Sequence, residues 1–472
     1  MIHDYSAIEL AEVARMAEKF HFLNPDFVSS IDVESDEVLA RRDIIFFDSR
    51  EYVSFSKAKQ ILVDYFPDLA KGCKNKVRQF SVLLANLKEA DSRKVHLVIG
   101  FRPDDYSKTG EYADLGYKCF VAMRNELEKS GMIEVIKGRY NKKSGKGYRS
   151  KIKVLEPLSN ILKTIEHGEI KKKLVVDEDL VMLKDRKEEK SKTKVRVEIS
   201  TEGIHKDYKG YISDSKQSLR LYNDFIVKNS FCCPVGKSGL LAAVDASRFQ
   251  LYRVYSNGSF EQGGRLYGAY HQLISEKQRS QMTINGKAAC ELDFKACMIR
   301  MMYHKKGIDY PEGKDPYTDI LEVAKISEWK LATNKELYRE LLKPIIITIT
   351  NCVSESSFRK ALRIVLKYVK KAEYEAGELV YNLSDNFEER ITAGILTVHS
   401  AISDYFYKKS ALYFQRYDSD IALDVISQLA KKGVPVLPIH DSFVTTVDNK
   451  ELLRSTMIQA YYNALGFNPV IH

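Results

Sequence analysis

The apolar positions of this chain change period along its length, and the changes mark its elements. Val434–Thr446 reads V-P-V-L-P-I-H-D-S-F-V-T-T. An apolar run, the polar break His440-Asp441-Ser442 and a second apolar run predict a strand, a sharp turn bearing a carboxylate, and another strand. Ala289–Tyr303 reads A-C-E-L-D-F-K-A-C-M-I-R-M-M-Y. A strand-like run ends at Asp293, and Cys297, Met298 and Met301 or Met302 then fall at helical spacing. In Tyr338–Cys352, Arg339, Lys343, Ile347 and Asn351 stand at i, i+4, i+8 and i+12, one face of a helix. The region 315–432 is predicted to be mostly helical, with a break near Asn382–Asn386, and Lys431-Lys432-Gly433 ends its last helix.

The upstream half patterns differently. Val82–Lys88 and Gly116–Ser130 are predicted helices, the second stopped by Gly131. Met132–Lys137 and Tyr148–Leu155 are predicted strands, joined by the tip G-R-Y-N-K-K-S-G-K-G. Between Lys137 and Lys153 there are eight Lys or Arg residues and no acid. Helix, glycine, strand, basic hairpin, strand is the layout of a winged helix, expected over residues 80–157. Lys142, Lys143, Lys146 and Arg149 are its candidate phosphate contacts. A wing that touches protein would show the same pattern. Residues 165–200 are dense in both charges and include K-D-R-K-E-E-K-S-K-T-K, which reads as a linker, an exposed helix or a disordered stretch. Residues 1–80 give no clear assignment. The expected organisation is a nucleic-acid-binding region over 1–160, a charged linker over 161–210 and a second domain over 211–472.

Composition narrows the classes. At 472 residues and 44% hydrophobic, the chain can bury cores in two to four domains. A net charge of +10 favours a polyanionic partner. The seven cysteines form no C-x-x-C pair and no Cys/His cluster, which argues against zinc and fits reduced, mostly buried thiols. Met1–Phe20 lacks a secretory-signal pattern, and Pro344–Ile349 is too short to cross a bilayer. The expectation is a cytoplasmic chain with no membrane partner.

The chemistry sits on the first three segments. Two aspartates at strand ends, Asp293 and Asp441, are what a two-metal phosphoryl-transfer site uses, with divalent ions about 3.5–4 Å apart clamping the attacking and leaving oxygens. Arg339 and Lys343, one turn apart, can hold a nucleotide's triphosphate. Ile347 and Asn351, further along that face, can pack against its base and sugar. Glu291 precedes Asp293 by two and shares its strand face, a candidate neighbour of the metals.

These segments, in this order, resemble the palm and fingers of family A DNA polymerases and single-subunit, phage-type RNA polymerases. The likeness covers roughly residues 215–472. It rests on Asp293, the R-x-x-x-K of Arg339 and Lys343, and H-D-S-F at His440–Phe443. Phe260–Gly268 (F-E-Q-G-G-R-L-Y-G) is similar to the motif that touches the template–product duplex, with Glu261 in the acidic place and Arg265 as its arginine. Leu412–Ile426 is similar to the helix that carries a glutamine, here Gln415, into the minor groove. The resemblance implies an α+β right-hand polymerase core, an antiparallel palm sheet with helical fingers, preceded by the winged-helix-like domain. It implies two Mg²⁺ ions (with Mn²⁺ as a substitute) on Asp293 and Asp441, nucleoside triphosphates, and a DNA template with a primer or product strand. It gives His440 a role in orienting the 3′ end or the Asp441 backbone.

The departures carry information too. Met298 stands where family A DNA polymerases have the glutamate that blocks a ribose 2′-OH. Asn351 stands where both groups have tyrosine. Pro344 follows Lys343, so the fingers helix is expected to kink there or to begin near it. The wording leans towards ribonucleotides: an RNA polymerase or primase of a mobile or phage-like element. A family A-like DNA polymerase, or a catalytically inactive DNA-binding replication protein, are the alternatives.

Overall fold

In a computed structural model of the chain, the described residues are 44–70, 74–106, 112, 115–138, 140–141, 146–147, 149–186, 194–197, 207–236, 239–311, 313–324, 335–363 and 386–472. They are organised around two hydrophobic cores, one built from residues between Phe47 and Ile170 and the other from Leu180 to Tyr461. The protein is α+β, and its largest sheet is antiparallel.

In the first unit, β1 (Ile44–Phe46), β2 (Glu51–Val53), α1 (Phe55–Tyr65) and α2 (Lys74–Arg93) precede β3 (His96–Ile99) and α3 (Tyr117–Lys129). The chain continues through β4 (Ile133–Ile136), β5 (Tyr140–Asn141), β6 (Lys146–Gly147) and β7 (Ser150–Val154) to α4 (Glu156–Lys163) and β8 (Ile170–Lys172). One sheet runs β1-β3-β7-β4, with β7 antiparallel to both of its neighbours. Gly131 takes φ +66° after α3, where a left-handed residue closes the helix end and any side chain would be strained. The β5–β6 ladder extends the β4–β7 hairpin. Of the basic tip, Lys142 and Lys143 lie outside the described residues, Lys146 is described by its backbone in β6, and Arg149 is exposed.

The second unit starts earlier than the sequence implied. The stretch 161–210, expected to be a charged linker, is folded wherever it is described. Leu162, Ile165 and Ile170 fill the first core, and β8 pairs with β2. β9 (Val181–Arg186) and β10 (Lys194–Val197) build a second sheet, β10-β9-β13-β14, with the hairpin of β13 (Tyr252–Ser256) and β14 (Ser259–Tyr267). The reason is local: Val181 and Leu183, two apart on β9, are buried with Met182 half-buried between them, and the charged residues Lys184 and Asp185 follow only after this apolar start. The run at residues 187–193 lies outside the described residues.

The largest sheet is six-stranded, in the order β12-β11-β15-β16-β18-β17. It comprises β11 (Phe231–Val235), β12 (Leu240–Val244), β15 (Thr283–Ile284), β16 (Lys287–Asp293), β17 (Leu437–Ile439) and β18 (Ser442–Thr446), all antiparallel. Helices α5 (Asp207–Ile226), α6 (Cys297–Lys305), α7 (Lys335–Asn351), α8 (Phe387–Val398), α9 (Ala411–Lys431) and α10 (Lys450–Leu465) complete the unit. Helices α6, α7, α8 and α9 lie in the chain between the neighbouring strands β16 and β18. Pro344 lies inside α7, which starts nine residues before it at Lys335 and runs on to Asn351, so the helix does not begin at the proline.

None of the described helices is long and apolar enough to cross a membrane. The six described cysteines form no disulfide; Cys233 and Cys297 are buried and the other four are half-buried, so "mostly buried" was too strong an expectation.

Candidate active site

The β17–β18 hairpin sets the geometry. His440 takes φ +61°, a left-handed conformation uncommon outside glycine, and this makes the turn sharp enough to put Asp441 at its tip. β18 pairs with β16 so that Asp293 stands opposite Ser442. Phe294 N–H donates to the Asp441 carbonyl at 3.2 Å. The two aspartates, nearly 150 residues apart in sequence, are thus neighbours at one end of adjacent strands. After Asp293 the chain turns through Ala296 (φ +52°) into α6.

Their electrostatics are unusual. Burial pushes the Asp293 carboxyl up to about 8, reinforced by the negative charges of Asp441 and Glu291 and only partly opposed by Lys343. Burial raises Asp441 as well, against Arg265 and Lys343. The positive charge of Lys343 thus acts on both carboxyls from α7. Two half-buried like charges held together are what a divalent cation relieves, and Mg²⁺ in such sites takes one or two carboxylates plus substrate phosphates and water. The donor set fits that ion. Among the described residues, no group of three or more His, Cys, Asp or Glu side chains is placed to hold a metal by itself.

Asp418, which the sequence reading overlooked, is the third acid. It lies on α9, is 4% exposed, and burial pushes it up to about 7 even though Arg265 ion-pairs with it at 3.2 Å. Gln415, expected at the minor groove, is three positions before it on the same face of α9 and half-buried. That spacing was the available signal. Arg265 was expected to reach a duplex; here it bridges Asp418 on α9 and feels the charge of Asp441. Gly264, next to it, takes φ +78°, and a Cβ there would meet the Tyr255 ring at 2.8 Å, so only glycine lets β14 close on its neighbours. Cys297 is buried among Asp418, Asp441 and Asp293, and burial raises its thiol far above the ordinary range.

The expected fingers face is only partly assembled around the carboxylates. Arg339 Nε donates to Asp315 at 2.7 Å. Ile347 is buried in the helix packing. The Asn351 side-chain amide donates back to the Ile347 carbonyl at 3.0 Å. Met298 packs half-buried against the core behind the carboxylates. Glu291 is not positioned as an open ligand: Arg279 grips both its oxygens at 2.8 and 2.9 Å, and Ser442 Oγ donates to it at 2.6 Å. His440 meets the Tyr267 ring edge-on, with centroids 6.2 Å apart. Glu261 pairs with Arg416 at 2.9 Å.

No protein-family model matches this chain, and no curated protein matches it either.

Proposed function

We propose that the second unit is a template-directed nucleotidyltransferase that uses two metal ions. The observation that carries this reading is the half-buried pair Asp293 and Asp441, brought together at adjacent strand ends within the field of Lys343. When bound, Mg²⁺ ions lower the pKa of a growing strand's 3′-OH and neutralise triphosphate charge. The protein's part is to hold and orient. Asp293 and Asp441 anchor the ions from two rigid strands. Lys343 places a compact positive charge at the leaving phosphates, and Arg339 exchanges Asp315 for phosphate oxygens when a nucleotide arrives. Arg265, anchored by Asp418, and Gln415 form the wall where the template–product duplex lies. His440, fixed in its left-handed turn, orients the 3′ end.

The first unit serves as a winged helix that contacts DNA phosphates. Its support is the order helix–strand–helix–strand–hairpin–strand and the basic tip with Lys142, Lys143, Lys146 and Arg149. The substrate reading leans to ribonucleotides because Met298 replaces the blocking glutamate. One observation keeps a DNA polymerase as the second reading: the Asn351 amide is engaged with Ile347, which weakens its claim on a 2′-OH. Extension of a primed DNA template by the full chain, with rNTPs or dNTPs and with or without Mg²⁺, separates the readings. Failure to incorporate any nucleotide leaves the inactive replication protein.

A further inference from the structure

A cavity whose lining includes neither Asp293 nor Asp441 lies where α2 and the turn after α4 meet the edge of the six-stranded sheet. Its volume is about 430 Å³, and its lining includes three lysines, Lys88, Lys94 and Lys163, two acids, Asp91 and Glu166, and the apolar Ile165, Leu240 and Ala242. We propose that this cavity binds a phosphate group, carried either by a free mononucleotide or by a nucleic-acid strand.

Lys88 carries the argument. It is 9% exposed, yet its ammonium makes no hydrogen bond and no ion pair with any described residue. The nearby acids are committed elsewhere. Asp91 accepts from Lys94 and from Ser159 Oγ, both at 2.9 Å. Glu89 is taken by Arg93 and Arg248. Glu169 accepts from the Glu166 backbone at 2.8 Å. The Lys88 stem is packed away while its ammonium opens on the cavity without a partner among the described residues, and an anionic ligand there gains a charge-assisted hydrogen bond. The surroundings agree: burial lowers Lys88, and burial is also the main cause that brings His167, on the same wall, down to about 4.

The cavity is preformed. Gly236 takes φ +63°, and a Cβ there would meet the Ser92 carbonyl at 2.7 Å. Only glycine lets the sheet edge close on α2 at this point. The volume suits one nucleotide, with the phosphate at the lysines and the base against the apolar wall.

The test is a binding titration of the full chain in EDTA, first with inorganic phosphate and AMP, then with a 5′-phosphorylated oligothymidylate. Lys88→Met keeps the apolar stem and removes the charge; it is expected to weaken binding about tenfold or more, with Lys88→Arg restoring most of it. Ala243→Glu, at an exposed position on the cavity wall, is expected to weaken binding without touching the core. Binding of AMP alone assigns a free nucleotide, and oligonucleotide binding that falls in Lys88→Met assigns a strand phosphate. Wild-type protein that binds none of the probes, or Lys88→Met and Ala243→Glu variants that bind as wild type does, overturns the proposal.

Discussion

Two clusters of buried acids in this protein behave in opposite ways. At the junction of the two units, Arg248 is 1% exposed and grips Glu51 at 3.0 Å and Glu89 at 3.2 Å, while Arg93 adds a second contact to Glu89. Burial alone would raise the Glu89 carboxyl, but Arg248 and Arg93 outweigh it and hold it at about 2. At the end of the six-stranded sheet, burial and mutual repulsion win, and Asp293 rises to about 8. The two places differ in their supply of arginine. Arg265 ion-pairs with Asp418 and Arg279 with Glu291, and among the described residues neither Asp293 nor Asp441 has an arginine ion pair of its own; Lys343 opposes the rise of both, and Arg265 that of Asp441. A structural ion cluster is internally neutral. On the proposed reading, the pair at the sheet end is kept short of positive charge for a metal ion to supply.

The sharpest break in that contrast is removal of either aspartate. Asp293→Ala and Asp441→Ala are each expected to abolish nucleotide incorporation, since the metals supply several kcal/mol of barrier lowering. Thermal stability should hold or rise, because a buried repulsion is relieved. Near-normal primer extension by either variant removes the active-site assignment.

The opposite sign is expected at the junction. Arg248→Met leaves Glu51 and Glu89 buried without their partner and should cost about 3–5 kcal/mol. Urea unfolding followed by far-ultraviolet circular dichroism measures it, and a change within error would mean that the cluster contributes nothing to joining the units.

Acid and base then separate the two clusters. Glu89 has a folded value of about 2 against an ordinary 4.5. Its stabilisation, on the order of 3 kcal/mol, is present above the ordinary value and disappears as pH falls towards about 2. Asp293 is raised, so its contribution is present below its ordinary value of 3.8 and disappears as pH rises through about 8. Glu89→Gln should flatten the acid limb of melting temperature against pH, and Asp293→Asn the alkaline limb. Stabilisation by added Mg²⁺ should grow with pH in the wild type, since the ion needs both carboxylates deprotonated. Identical alkaline limbs for wild type and Asp293→Asn would contradict the repulsion described above.

Smaller effects sharpen the nucleotide side. Lys343→Ala should cost about 1.5–3 kcal/mol in kcat/KM for nucleotide, the range of a hydrogen bond to a charged group, with nucleic-acid affinity nearly unchanged. Wild-type kinetics in that variant would show that Lys343 acts on the carboxylates without touching the triphosphate. Last, Met298→Glu should shift single-nucleotide kcat/KM towards dNTPs. Asn351→Ala should change the rNTP/dNTP ratio by at most about 1–2 kcal/mol, and by less if its amide stays on Ile347. A wild-type preference of a hundredfold or more for dNTPs would favour the DNA polymerase reading.

What the sequence settled by itself was local. The V-P-V-L-P-I-H-D-S-F-V-T-T pattern gave the hairpin, Gly131 and Gly433 gave two helix ends, and the strand-to-helix change at Asp293 gave β16 and α6, because period and turn chemistry act over a few residues. The face of α7 was legible too, although not that the helix would run through Pro344. Partner choice was not legible. Nothing local says that Arg265 is claimed by Asp418, that Arg339 is claimed by Asp315, or that Asn351 folds back on its own helix. Nor could the charge run after residue 161 reveal that alternate positions pack inwards on β9. The tertiary structure decided these matters, because each depends on which groups from distant segments share a low-dielectric space.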